Sequence, residues 1–256
     1  MYAAAVAILG AVSCFFGSLV GFGGGFIAVP VLRFVGQLSP STVAATSLFM
    51  VGVNVTVASV ALFRQKRVNA RIGWALGVGG IVGSLAGVFA LRYVNATVFD
   101  VLYGLMLLFI AYMMLKPASS VSMEGEGLES ERSARAGRSE LAAMGVAVGF
   151  VSTLFGIGAG TISIPLLMWR YRIPAYIAMP TSSFVALVYI WPGIIAQGVA
   201  GRIDWTLAIP LSIGAIIGAQ LGAQYSAKLR SVQLQRVFGA VAICAFVGLT
   251  ARHLVH

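Results

Sequence analysis

Two short stretches of the sequence combine glycines with a proline in a way that suits anion binding by the main chain. The first reads GFGGGFIAVP, from Gly21 to Pro30, and the second reads GIGAGTISIP, from Gly156 to Pro165, 135 positions later. Glycine permits unusual dihedral angles and close backbone approach, and proline lacks an amide donor. A helix broken in this way exposes amides at a half-helix N-terminus, where partial positive charge holds an anion without a buried cation.

The candidate site joins these glycine stretches to the hydroxyl pair that follows each of them. Hydroxyls are neutral donors that suit an oxyanion whose lost hydration must be compensated. The predicted substrate-binding residues are Gly21, Phe22, Gly23, Gly24, Gly25, Thr46, Ser47, Gly156, Gly158, Ala159, Gly160, Thr161, Thr181 and Ser182. Pro30 and Pro165 are predicted to break the helices. The alternative is that the glycines only let helices touch and that the hydroxyls make ordinary hydrogen bonds between helices.

The composition predicts that these stretches lie in a membrane. The chain has 256 residues, of which 59% are hydrophobic and 9% charged, and its mean hydropathy is +0.96. Soluble domains carry about 25% charged residues, and a membrane span needs about 20 apolar residues. The apolar runs are 2–20, 42–63, 72–91, 96–115, 141–159, 176–200, 207–226 and 233–251. We therefore expect an all-α polytopic membrane protein.

The chain also shows an internal duplication at the offset of 135. Thr46-Ser47 corresponds to Thr181-Ser182 at this offset. A second correspondence joins two glycine series, which we predict to be helix-packing seams: Gly79, Gly83 and Gly87 with Gly214, Gly218 and Gly222. We predict two homologous transmembrane repeats, 1–115 and 141–256, joined by a flexible, charged, cytoplasmic linker over 116–140.

Two topologies follow from the short interrupted segments 22–35 and 157–170. If each segment crosses the membrane, each repeat has five segments and the second repeat is inverted. If each re-enters, the chain has eight spans with two re-entrant loops. Five crossings per repeat, with the N-terminus outside, put most Lys and Arg on the cytoplasmic side. The positive-inside rule therefore favours the inverted arrangement.

Several other functions are excluded by the sequence. The net charge of +10 comes mostly from Lys and Arg at the ends of apolar runs, so we expect no nucleic-acid partner. GFGGGFIA partly matches a dinucleotide fingerprint, but it lies in a membrane repeat. No nucleophile–base pair is visible, so we expect no enzyme, no catalytic residue and no cofactor. The histidines, His253 and His256, lie at the tail, so we predict no metal site.

The paired motifs resemble those of the sulfite exporter TauE/SafE family, also described as the 4-toluene sulfonate uptake permease family. The resemblance rests on GFGGGFIAVPVL, AATSL, RQKRVNARIGW and IVGSLAG, with the second-half counterparts GIGAGTISIPLL, PTSSF, GRIDW and IIGAQLG. The resemblance covers nearly the whole chain. The second half departs from the pattern of the first in two places: Ala159 stands where the first half has Gly24, and Pro180 precedes Thr181. It implies transport of sulfite, organosulfonates or related small anions across the bacterial cytoplasmic membrane.

We therefore expect a secondary transporter or facilitator that exports a small sulfur-containing anion. Its partners are the anion and the lipid bilayer. A channel-like anion pore and a non-transporting membrane scaffold are the alternatives. The residues specify neither a coupling ion nor whether the chain forms a homo-oligomer.

Overall fold

The computed structural model describes residues 2–63, 68–115, 137–171 and 173–226, and all regular secondary structure in these ranges is α-helical. This confirms the all-α prediction for the described residues. The helices are α1 Tyr2–Val20, α2 Gly25–Val35, α3 Pro40–Phe63, α4 Ala70–Ala90, α5 Ala96–Leu115, α6 Arg138–Phe155, α7 Gly160–Arg170, α8 Ala175–Val199 and α9 Trp205–Ser226. The predicted run 233–251 and most of the predicted linker, 116–136, lie outside the described residues.

Six of these helices are long and apolar enough to cross a membrane, namely α1, α3, α4, α6, α8 and α9. The multi-pass membrane character predicted from composition therefore agrees with the helix lengths. The helices α2 and α7 have 11 residues each, about half the length of a full span. They coincide with the two interrupted segments of the sequence.

The packing of the helices is reciprocal between the two halves of the chain. Helix α1 packs against α9, and α4 packs against α6. Helix α3 contacts α9, α4 contacts α8, and α3 and α8 also contact each other. Each half therefore completes its packing with helices of the other half, and α3 and α8 form the centre of the bundle.

The glycine series of α9 lies directly on the backbone of α1. A Cβ on any of the three glycines would overlap a carbonyl oxygen of α1. The contacting pairs are Gly214 with Ala7, Gly218 with Ala11, and Gly222 with Phe15. Because the residue numbers rise together on both helices, α1 and α9 run in the same direction.

The glycine series of α4 makes the matching seam with α6. The contacting pairs are Gly79 with Ala142, Gly83 with Val146, and Gly87 with Phe150. Helix α4 meets α8 through a second face, where the pairs are Gly73 with Phe184, Gly77 with Val188, and Gly80 with Tyr189. The numbers again rise together, so α4 runs in the same direction as both α6 and α8.

Gly83→Ala is expected to destabilise the folded protein. A Cβ at this position would overlap the carbonyl oxygen of Val146 and lie 2.7 Å from its carbonyl carbon. Overpacking of this kind costs about 1–3 kcal/mol. The measurement is the midpoint of thermal unfolding of the purified protein in detergent.

Gly198→Ala is the matched control, because Gly198 also lies in a helix and its added Cβ would meet only Ile203 Cδ1, at 3.7 Å. We expect an unchanged or higher midpoint for this variant, since alanine favours a helix over glycine by up to about 1 kcal/mol. Equal midpoints for the two variants would contradict the close seam.

Candidate functional site

The first break lies between α1 and α2 and depends on glycine dihedral angles. Gly21, Gly23 and Gly24 each have φ of +83°, in the left-handed region that side chains with a Cβ avoid. Helix α1 ends in this turn, where Phe22 N–H donates to Gly17 O at 2.7 Å. The chain then starts α2 against the end of α1.

The second break, between α6 and α7, has a different backbone. Gly156 has φ of +70°, but Ala159 has φ of −52° in the right-handed region. Its counterpart Gly24 has a left-handed conformation. This difference explains the departure from the repeat pattern, because alanine is acceptable where φ is negative. The two breaks are therefore equivalent in position but not in backbone path.

The prediction that the two prolines break the helices is wrong. Pro30 lies inside α2 and Pro165 lies inside α7, whereas the breaks lie upstream. A proline inside a helix leaves the carbonyl four residues earlier without its usual donor. For Pro30 this carbonyl belongs to Phe26, and Tyr103 Oη donates to it at 3.1 Å from α5. A side chain of another helix thus replaces the missing hydrogen bond.

The two breaks meet in a buried junction. A Cβ on Gly23 would lie 3.4 Å from the Cα of Gly158. Further contacts place Gly160 against the carbonyl of Gly21, and Gly25 against the carbonyl of Gly156. The structure therefore brings the two predicted glycine stretches together, main chain against main chain.

Two helix N-termini converge on this junction. In α2, the amides of Ile27 and Ala28 both bond to Gly24 O. In α7, Ile162 and Ser163 bond to Ala159 O in the same way. The N–H groups of a first helical turn have no acceptor within their own helix and carry partial positive charge. The junction thus brings two helix N-termini, with their partial positive charge, beside the carbonyl oxygens of Gly21 and Gly156.

The threonines of the two hydroxyl pairs hold the opposite repeat. Thr46 Oγ1 accepts a hydrogen bond from the backbone N–H of Asp204 at 3.1 Å. Thr181 Oγ1 accepts from the backbone N–H of Asn69 at 3.0 Å. The residues of one bond correspond to those of the other at the offset of 135. Thr46 anchors Asp204, just before α9, and Thr181 anchors Asn69, just before α4. Both hydroxyls are buried.

The remaining predicted hydroxyls bind groups at the junction. Ser47 Oγ donates to Gly156 O at 2.8 Å, and Thr161 Oγ1 donates to Gly158 O at 2.9 Å. Ser182 Oγ and Ser163 Oγ lie 2.6 Å apart. Since a hydroxyl has one hydrogen, Ser47 and Thr161 already use theirs on carbonyls. These side chains therefore shape the second break.

The sequence prediction missed Asn54. Its side chain is 1% exposed, its Oδ1 accepts from Ser18 Oγ at 2.7 Å, and its Nδ2 lies 3.8 Å from a Cβ built on Gly23. Its counterpart at the offset of 135 is Tyr189, whose Oη donates to Ser152 Oγ at 2.6 Å. A lone amide side chain within an apolar span was the available signal, because such groups are costly in lipid.

The described carboxylates are each engaged by another side chain. Asp100 forms a two-fold ion pair with Arg33, with N–O distances of 3.0 and 3.1 Å. Glu140 pairs with Arg170 at 3.3 Å, and Asp204 accepts from Thr206. Within the described residues, no cluster of three or more His, Cys, Asp and Glu side chains is placed to hold a metal.

Comparison with known proteins places the chain in a family of membrane proteins. The family model described as "Sulfite exporter TauE/SafE" matches residues 6–249. The chain is similar to the "Probable membrane transporter protein YunE" of Bacillus subtilis, with 28% identity over 81% of this chain and 82% of the relative. It is also similar to the "Probable membrane transporter protein MJ0441" of Methanocaldococcus jannaschii, with 29% identity over 67% of this chain and 64% of the relative. A "Probable membrane transporter protein" of Xylella fastidiosa strain 9a5c is 25% identical over 90% of this chain and 87% of its own length. No solved structure matches the chain.

Thr46→Val and Thr181→Val are each expected to lower the free energy of unfolding by about 1–3 kcal/mol. Valine keeps the shape but removes the acceptor, and a backbone N–H left without a partner costs about that much. The measurement is thermal unfolding in detergent. Thr42→Val is the control, because Thr42 bonds only the exposed Ser39 side chain.

The conservative variants Thr46→Ser and Thr181→Ser keep the acceptor and are expected to restore most of the stability. If valine at both positions leaves the unfolding temperature unchanged, the reciprocal anchors do not hold the repeats together.

Proposed function

Because the chain belongs to the sulfite exporter TauE/SafE family, we propose that it carries a small sulfur-containing oxyanion or organosulfonate across the bacterial cytoplasmic membrane. The relatives named above are described as probable membrane transporters. The single observation that carries the proposal is the meeting of two interrupted helices in a buried junction, with both N-termini directed there. Broken helices at corresponding places of two repeats are typical of transporter binding sites.

The junction supports an anion rather than a cation. The first-turn amides of α2 and α7 are donors that need no counter-charge, and buried amide donors compensate the lost hydration of an oxyanion. We propose that the amides near Gly24–Gly25 and Ala159–Gly160 contact the anion. The Nδ2 group of Asn54 adds a neutral side-chain donor beside Gly23.

In this proposal, the hydroxyls that were predicted as ligands position the main chain. Ser47 donates to the carbonyl of Gly156, which lies against Gly25, and so balances part of the negative charge of this carbonyl beside the proposed site. Thr46 and Thr181 fix the connections before α9 and α4. The main chain is the ligand, and the hydroxyls set its path.

An inverted arrangement of the two repeats is part of the proposal. The seams make α1 parallel to α9, and α4 parallel to both α6 and α8. Helix α9 follows α8 after the short connection 200–204, as in an antiparallel helical hairpin. Together, these helix directions make α1 run opposite to α6, which is its counterpart in the second repeat. Opposite directions of counterpart helices support inversion. Alternating access would rock one repeat against the other.

Export needs no second ion in this proposal. A monovalent anion leaving an inside-negative cell gains about 2.3 kcal/mol per 100 mV. At about 1.4 kcal/mol per decade, this supports a gradient of roughly fiftyfold. The described carboxylates are engaged by Arg33, Arg170 and Thr206, which fits a facilitator better than a proton-coupled carrier.

Gly23→Ala is expected to lower anion flux by about tenfold or more. An L side chain in the left-handed region costs about 1–2 kcal/mol, and its Cβ would lie 2.8 Å from Val51 Cγ1. Flux is measured in liposomes containing the purified protein and loaded with sulfite, methanesulfonate, sulfate or chloride, with and without an imposed potential. Gly198→Ala is the matched control and is expected to transport normally.

Asn54→Leu separates the polar role of the junction from its packing. Leucine has a similar volume but no donor, so we expect folded protein with reduced sulfite flux.

If none of the anions moves through the wild-type protein, the proposed function is wrong. Flux that does not saturate with concentration would favour a channel-like pore. Normal flux with an altered assembly in the Gly23→Ala variant would favour a packing role for the glycines.

A labelling experiment tests the inversion. Arg71 and Thr206 are equivalent at the offset of 135, and both are exposed at the start of their helices. We expect Thr206→Cys to react with an impermeant thiol reagent from outside the cell, and Arg71→Cys only in inverted vesicles. Both variants are made with Cys14 and Cys244 replaced by serine. Labelling of both cysteines from one side would favour parallel repeats with re-entrant loops.

A further inference from the structure

A pocket of about 380 Å³ lies between the C-terminal ends of α4 and α8, away from the glycine junction. Its volume is in the range of small-molecule sites, about 300–1,000 Å³. Most of its wall is apolar, and one wall residue is a cation. The lining includes Leu85, Val88, Phe89, Arg92, Ala196 and Val199.

Two arginines meet at this end of the helices. The guanidinium carbon of Arg92 lies 5.2 Å from the centre of the Phe89 ring. Arg202, in the connection from α8 to α9, donates through Nη1 to Val88 O at 2.8 Å and to Gln197 Oε1 at 3.2 Å. Partial burial and the nearby positive charge of Arg92 lower the pKa of Arg202 from its ordinary value.

This positive charge lacks a carboxylate to balance it. Among the described residues, neither Arg92 nor Arg202 has an acidic side chain within ion-pair distance. The carboxylate of Asp204, two positions after Arg202, accepts from the backbone N–H and the hydroxyl of Thr206. An anion bound at this end of the helices would balance both charges.

Gln197 fixes one side of the Arg202 guanidinium. It is fully buried, and its Oε1 accepts a hydrogen bond from Arg202 Nη1 at 3.2 Å. With Val88 O as a second acceptor, the guanidinium is held beside Val88, a residue of the pocket wall.

We propose that the pocket binds an amphiphilic anion, whose charged head lies at Arg92 and Arg202 and whose apolar body lies along Leu85, Phe89 and Val199. The apolar wall distinguishes this ligand from a small inorganic ion. Val199 is 86% exposed and Phe89 is 57% exposed, so the pocket opens to the surroundings of the helices. Such a ligand has two sources, an organic sulfonate in solution and an anionic lipid of the bilayer. The site does not depend on the transport proposal.

The test is a binding titration of the full-length protein in neutral detergent, with the dissociation constant obtained from the shift of the unfolding temperature. The probes are benzenesulfonate and methanesulfonate for the solute source, and short-chain phosphatidylglycerol and phosphatidylcholine for the lipid source. We expect benzenesulfonate, phosphatidylglycerol or both to bind. Benzenesulfonate should bind more tightly than methanesulfonate if the source is a solute, and phosphatidylglycerol more tightly than phosphatidylcholine if it is a lipid.

Arg92→Gln is expected to weaken this binding about tenfold or more, since it removes a charge-assisted hydrogen bond. Arg92→Lys keeps the charge and is expected to retain most of the affinity. Arg71→Gln is the matched control, because it removes the same charge at the opposite end of α4, and it is expected to bind normally.

Binding of benzenesulfonate alone assigns the site to a solute, and binding of phosphatidylglycerol alone assigns it to a lipid. The proposal is overturned if neither probe binds, if Arg71→Gln weakens binding as much as Arg92→Gln, or if methanesulfonate binds as tightly as benzenesulfonate. A binding failure here, with anion flux intact in liposomes, would leave the proposed function in place.

Discussion

A helix that is interrupted within a membrane presents backbone groups that lipid cannot satisfy, and this constraint governs the structure. The protein resolves it by placing one interruption against the other. Main chain meets main chain at Gly23 and Gly158, and hydroxyls such as that of Ser47 bind carbonyls that would otherwise lack a donor. Glycine is needed here because the contacts leave no room for a side chain. The reciprocal packing of α1 with α9 and of α4 with α6 then follows from bringing the two interruptions together.

The sequence predicts the helices well because the length of an apolar run has to match the thickness of the bilayer. The run 2–20 matches α1, Tyr2–Val20, and the interrupted segment 157–170 contains α7, Gly160–Arg170. The site is less predictable, since its bonds join distant parts of the chain. Neither the anchoring of Asp204 by Thr46 nor the bond from Tyr103 to the Phe26 carbonyl follows from any local pattern. The position of Asn54 beside Gly23 also depends on how α3 packs.

The two halves share a plan but differ in the details that touch the junction. Gly24 is left-handed where Ala159 is right-handed, and the amide of Asn54 corresponds to the phenol of Tyr189. The first break therefore has more glycines in the left-handed region and a side-chain donor, whereas the hydroxyls of Thr161 and Ser47 bind carbonyls of the second. The reciprocal seams and threonine bonds are common to both halves, but the two interruptions are unequal.

The reciprocal threonines also bear on the order in which the protein is made. The N–H of Asn69 bonds to a hydroxyl that lies 112 residues further along the chain, and the hydroxyl of Thr46 receives its donor 158 residues later. The first repeat therefore leaves the ribosome before either of these bonds can form. Until the second repeat is synthesised, the two groups have to bond water or other parts of the chain, since a buried polar group without a partner is costly. A half-molecule that ends between the repeats would lack both bonds.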